Sequence, residues 1–173
     1  MEQTLPKYTP QHVANFFLDL ADEEGVSLTQ LKLMKLVYIA YGWYLAITGE
    51  KLFDEPIQAW RNGPVIPSLY HEFKSYGRLP IDGRATSFDL DTGTISVPRI
   101  PETDVVTVKI LTLVWESYKR FSAAALVRRT HDDGTPWAET YVEGARNIVI
   151  PPEVIEKHYK ARLHEYIRAA QAA

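Results

Sequence analysis

Cysteine is absent from this chain of 173 residues. Its absence excludes disulfides, thiolate nucleophiles and cysteine-ligated zinc together, and it suits a reducing compartment. An excess of positive charge is lacking too: 19 Lys and Arg stand against 22 Asp and Glu, a formal net charge of −3. A nucleic-acid binder ordinarily carries a basic face that displaces phosphate counterions, so this balance disfavours that class. A long uncharged apolar run is also missing. The best approach to one, residues 28–47, is interrupted by Lys32 and Lys35, and a charge at the bilayer centre costs roughly 2.5–3.5 kcal/mol. The opening MEQTLPKYTP has neither the basic start nor the apolar run of a secretory leader. The expectation is a cytoplasmic protein with no membrane partner.

Signatures of catalysis are equally scarce. No Gly-x-Ser-x-Gly elbow, phosphate-binding loop or dinucleotide fingerprint occurs. His71-Glu72 and His164-Glu165 each begin like a zinc-protease helix, but neither is followed by the second His that would put two ligands on one face. His131-Asp132-Asp133 is a denser cluster that could hold a hard divalent ion if a third ligand such as Glu72 converged on it. The same residue types also favour turns, because they bond their own backbone. Asp22, Glu23 and Glu24 end the first predicted helix and read as a solvated face. No catalytic residue, metal or cofactor is expected.

What the chain does have is apolar and aromatic bulk: 46% hydrophobic residues, with ten Tyr and four Trp. At this length one domain, 1–173, would bury about 70% of its unfolded surface. Thr9-Pro10 predicts a helix start and Gly25 its stop. Ser27-Leu28-Thr29-Gln30 reads as a capping box opening a helix over 28–48, closed by Gly49. Its stretch 36–41 is apolar or aromatic all round, so other elements must wrap it. A short strand is expected at 57–60, then a sharp Gly63-Pro64 corner and a helix over 67–76. Period-two alternation in 87–90 and 94–97 around Asp91-Thr92-Gly93 predicts a β-hairpin. Helices follow over 101–120, with Val105, Val108, Leu111, Trp115 and Tyr118 as its core stripe, and from Ser122 through Arg129. Thr130–Thr135 reads as a polar turn before a short helix at Pro136. A strand at 148–150 and a last helix over 152–170, burying Val154, Ile155, Tyr159, Leu163 and Ile167, complete the pattern. The fold class is α+β, mainly α, around a buried central helix with a small hairpin.

Several groups stand out on that frame. Lys32 and Lys35 either thread their stems past apolar neighbours to keep wet ammonium groups, or mark an exposed stripe open to an acidic partner. Around Gly63-Pro64 the chain forms either a rigid corner or a preformed surface with Trp60, Arg61 and Tyr70 as anchors, residue types that dominate binding energetics. Arg128 and Arg129 make a small basic patch, available to a partner or, in an autorepressor, to DNA.

The run Ser27-Leu28-Thr29-x-Leu31-Lys32-Leu33-x-Lys35-Leu36-x-Tyr38, then Gly42-Trp43-x-Leu45 and Leu52-Phe53-Asp54-Glu55, resembles the Panacea domain of SocA-like and GepA-type phage-associated antitoxins. The likeness continues through Ala59-Trp60, Gly63-Pro64-Val65, Pro67 and Leu69-Tyr70, and resumes at Thr130-His131 and Pro136-Trp137. It implies an antitoxin of a bacterium or phage that counters a toxin, encoded by the adjacent gene, through direct protein contact. One variant of the family is an adaptor delivering its toxin to the ClpXP protease, and the terminal Ala172-Ala173 is of a kind such unfoldases read. The alternatives are an enzyme that reverses the toxin's modification through His131, Asp132 and Glu72, and the DNA-binding autorepressor.

Overall fold

The computed structural model describes residues 6–173; Met1–Leu5, on which part of the leader-peptide reading rests, lie outside them. Helix α1 (Pro10–Glu24) begins at the Thr9 N-cap, with Pro10 at its first position, and stops at Gly25 in the left-handed conformation (φ 67°). Helix α2 (Gln30–Thr48) begins two residues later than the capping box predicts. Thr29, not Ser27, is its N-cap, and Gln30 donates to the Tyr70 carbonyl at 2.9 Å instead of reaching back. The reason lies in pairing. Leu28 is buried and its carbonyl accepts from Ile81 N–H at 2.8 Å, while Thr29 bridges Pro80. Extended backbone is needed there, so the helix starts after it.

Every residue of α2 from Leu33 to Ala46 is buried, as expected of a helix without a polar face. It is wrapped by α1, by α3 (Pro67–Phe73), α4 (Val105–Tyr118), α5 (Ala123–His131) and α7 (Pro152–Ala172), and by a small hairpin strand described below. Helix α7 meets α2 tightly at Gly42, where a Cβ would stand 2.2 Å from the Tyr159 ring. Only a glycine admits that ring, which also meets Trp43 edge-on at 5.3 Å.

Among the described residues there are two separate antiparallel two-stranded sheets: β1 (Gln58–Trp60) with β2 (Gly63–Val65), and β3 (Ser87–Asp89) with β4 (Thr94–Ser96). The predicted strand at 148–150 is reduced to a single bridge between Val149 and Gln58. Helix α4 starts at Val105, since Asp104 accepts from Thr107 N–H as N-cap. Val105 is accordingly 67% exposed and Val108 half-buried, whereas Leu111, Trp115 and Tyr118 form the predicted stripe. Helix α5 extends through His131, two residues into the expected turn, and α6 is Pro136–Thr140. In α7 only Ile155 and Tyr159 are buried. Val154 and Leu163 are half-buried and Ile167 is exposed, because the last turns run past the body of the fold. No helix among the described residues is long and apolar enough to cross a membrane.

Candidate binding site around a buried lysine

Of the residues singled out in the sequence, Lys35, Trp60, Gly63, Pro64, Tyr70, Thr130, His131 and Trp137 come together at β1–β2, whereas Gly42 and Trp43 pack against α7. Strand β2 was expected as a corner, yet Gly63 pairs with Trp60, Pro64 with Ala59 and Val65 with Gln58. Pro64 fits because β2 is an edge strand, where a missing N–H is tolerated. The opposite side of β1 is occupied: Ala59 N–H donates to the Ile148 carbonyl, and Ile150 N–H to that of Ile57, both at 2.8 Å. Arg61 and Asn62 form the exposed tip.

Beneath this hairpin lies Lys35, 0% exposed. Its Nζ donates to the Pro64 carbonyl at 2.8 Å. Gly63, buried with φ 102°, lies so close that a Cβ there would be 2.8 Å from both Lys35 Nζ and Thr130 Oγ1. Thr130 Oγ1 donates to Val127 O, and Thr135 Oγ1 donates to Thr130 O, fastening the end of α5. The His131 ring stacks on Trp137 at 3.7 Å, and Trp137 stacks on Tyr141 at 4.6 Å. Trp137 Nε1 then donates to the Trp60 carbonyl at 2.7 Å. On the outer side Trp60 meets Tyr70 edge-on at 4.8 Å, and its Nε1 donates to Gln58 Oε1 at 2.8 Å.

Both readings of Lys35, a wet ammonium and an exposed stripe, are therefore corrected, and Lys32 is half-buried and not part of an exposed stripe. Lys35 faces β2, which gives its ammonium a carbonyl partner inside the fold. Lys32, half-buried one turn earlier, donates to the Lys119 carbonyl at 2.6 Å. That carbonyl is at the C-terminal end of α4, where a cation is favoured by the orphan acceptors and the helix dipole. Arg128 is exposed, and the Arg129 guanidinium sits over the Phe121 ring at 4.2 Å. Glu72 accepts from Thr86 N–H and is not gathered with His131 and Asp132. Among the described residues no group of three or more His, Asp and Glu is arranged to hold a metal ion.

Burial pushes the Lys35 ammonium down to about 7. Burial first, and then the neighbouring Lys35, also lower His131, with Asp132 opposing. The His131 Nε2 is buried and finds no hydrogen-bond partner among the described residues. A lysine whose folded pKa lies below its unfolded value binds fewer protons in the folded state between those two values. Stability should then rise with pH from near neutrality, at up to about 1.4 kcal/mol per pH unit. Half-buried Lys32, lowered by burial, adds in the same direction. Urea unfolding between about pH 7.5 and about pH 9.5 should show the rise, and Lys35→Met should remove most of it. An equal slope in the variant would assign the effect elsewhere.

What this arrangement does physically is hold an exposed tip rigid. Hydrogen bonds from α2 and α6 hold the carbonyls of Trp60, Pro64 and Tyr70 from beneath, and the His131 stack backs Trp137, while the Arg61 side chain is exposed at the tip. Most of the sequence motif is thus bracing, and the outward-facing part is small. The Gly63–Lys35 contact and the stack of His131 on Trp137 escape sequence reasoning, because they join residues far apart in the chain. The only signal was the co-occurrence of the motifs.

In class, this is a mainly helical α+β protein in which Lys35, Gly63, Pro64, Thr130, His131 and Trp137 converge beneath the β1–β2 hairpin. The profile of the family described as "Antitoxin SocA-like, Panacea domain" matches residues 33–138. "Antitoxin SocA" of Caulobacter vibrioides (strain NA1000 / CB15N) is 34% identical over 128 residues, covering 72% of this chain and 66% of that protein. The chain belongs to the SocA-like Panacea-domain family. It spans slightly less than two thirds of that curated relative's length. No solved structure matches it.

Proposed function

We propose that this protein is an antitoxin that counters the toxin of the adjacent gene by binding it directly, without catalysis. The observation that carries the reading is the family match, which extends over the whole braced site from Lys35 to Trp137. The geometry adds a contact surface: Trp60 and Tyr70, packed against each other, lose little conformational entropy on docking, and Arg61 is exposed beside them. Arg128, exposed on α5, is a further candidate contact. Lys35 supports this surface from inside and does not touch the partner.

Co-expression with the adjacent reading frame tests the proposal. In cells without ClpXP, rescue should require antitoxin in amounts at least equal to toxin, and His131→Ala should keep it if the fold survives. Rescue in those cells by far fewer antitoxin molecules than toxin molecules would instead indicate an enzyme. Delivery to ClpXP is the finer form of the same proposal. It predicts a toxin half-life shortened by the antitoxin in cells with the protease and restored in cells without it. An unchanged or lengthened half-life identifies a stoichiometric blocker.

A further inference from the structure

The hairpin β3–β4 stands away from the core, and nothing in the bracing network above uses it. Its apolar side chains face solvent: Phe88 is 58% exposed, Leu90 86%, Ile95 72% and Val97 40%. Among the described residues neither outer edge pairs with another strand. An isolated two-stranded hairpin is marginal in water, yet both ends of this one are fixed. Asn15, fully buried in α1, donates from Nδ2 to the carbonyls of Ala85 and Pro98, both at 2.9 Å. Its Oδ1 accepts from Ala85 N–H at 2.8 Å, so one side chain staples the two ends of the excursion. Just outside those ends, Arg84 and Arg99 both bind Asp19, and Arg84 also binds Asp22. The tip is fastened as well, because Asp89 Oδ1 accepts from the Asp91 and Thr92 N–H groups. An apolar element clamped at base and tip and left uncovered is poised for a partner.

The sign of that partner is readable. From Ala85 to Pro98 the charged residues are Asp89 and Asp91. At the foot of the hairpin, between α1 and the start of α4, is an open groove of about 780 Å³ whose apolar lining includes Phe16, Leu20, Ile100 and Val108. Its charged lining is Asp19, Asp22, Glu23 and Glu102 against Arg84 and Arg99. Both arginines are engaged by Asp19 or Asp22, so carboxylate is in excess. We infer that the β3–β4 hairpin and this groove form a second docking face, which receives a positively charged, apolar-anchored surface of the toxin. The inference rests on the antitoxin reading. A second copy of the chain would present the same carboxylates and be repelled, and nucleic acid or an anionic lipid surface carries the wrong sign.

The test is the affinity of the full chain for the purified product of the adjacent gene, made in a cell-free system. Three forms are compared: wild type, Phe88→Ser/Ile95→Ser and Glu23→Lys/Glu102→Lys. All four positions are solvent-exposed, so circular dichroism should show unchanged folding. Each double variant should bind about 100-fold more weakly. The wild-type affinity should fall with added salt, and the fall should be smaller in the charge-reversed form. Affinities within about twofold of wild type would overturn the docking face and leave the antitoxin reading standing. No binding by wild type would overturn both. Loss of a homodimer from the hairpin variant, seen by sedimentation, would give the face to a second copy and overturn the inference.

Discussion

Replacing Gly42 with alanine is expected to destabilise the protein by about 2–4 kcal/mol, although alanine is the better helix former by about 1 kcal/mol. Gly42 lies in the middle of the buried α2, and a Cβ there would come within 2.2–2.6 Å of three Tyr159 ring atoms. The ring cannot swing aside cheaply. Tyr159 is 3% exposed and held edge-on against Tyr38 at 6.2 Å and Trp43 at 5.3 Å. The added methyl group must therefore lift α7 from α2, which uncovers apolar surface on both. Urea unfolding measures the loss. A double-mutant cycle with Tyr159→Leu should show strong coupling, since the smaller side chain makes room for the methyl group. A Gly42→Ala protein as stable as wild type would show that α7 is less tightly seated than described.

Gly63→Ala should cost a similar amount by a different route. At φ 102° an L side chain is strained, at about 1–3 kcal/mol. The new Cβ also collides with Lys35 Nζ and Thr130 Oγ1, both at 2.8 Å. Lysine can retreat only by giving up the Pro64 carbonyl, and there is no solvent for its ammonium to reach. We expect a total loss of about 2–4 kcal/mol, accompanied by weaker toxin binding, because Trp60 and Arg61 are held by the same strand pair. Combining Gly63→Ala with Lys35→Met should relieve the lysine part of the collision and leave the Thr130 contact together with the backbone strain, at least about 1 kcal/mol. Full recovery in the double variant would mean that the positive φ is not required.

Helices whose periodicity and end signals agree were legible in the sequence. Thr9-Pro10 and Gly25 bound α1 as expected, and the all-apolar character of 36–41 announces a central buried helix. The same character was silent on direction. Nothing in the order of residues says that Lys35 points at the Pro64 carbonyl, so the pattern alone suggests a cation that reaches water, by threading its stem outward or on an exposed stripe. A polar residue among Val13, Ala14, Phe17 and Leu18, such as Asn15, signals a buried hydrogen-bonding task. Its partners, at Ala85 and Pro98, could not be found without the fold. Val105 and Ile167 mark the converse difficulty. Helical periodicity continues past the point where another element lies opposite, and it is the opposing surface, not the pattern, that buries a side chain. The motifs Gly63-Pro64-Val65, Thr130-His131 and Pro136-Trp137 were found because they resemble a family, and only their convergence on Lys35 explains why those residue types occur together.

The central claim is that this protein acts by direct contact through the braced surface of Trp60, Arg61 and Tyr70. Isothermal titration of the purified adjacent-gene product into wild type and into Trp60→Ala/Arg61→Glu tests it most directly. The account predicts a saturable complex of fixed stoichiometry with wild type, and affinity reduced by about 100-fold in a variant that remains folded. A complex equally tight in both proteins would move the contact elsewhere, and rescue of cells by wild type without any complex would contradict the account.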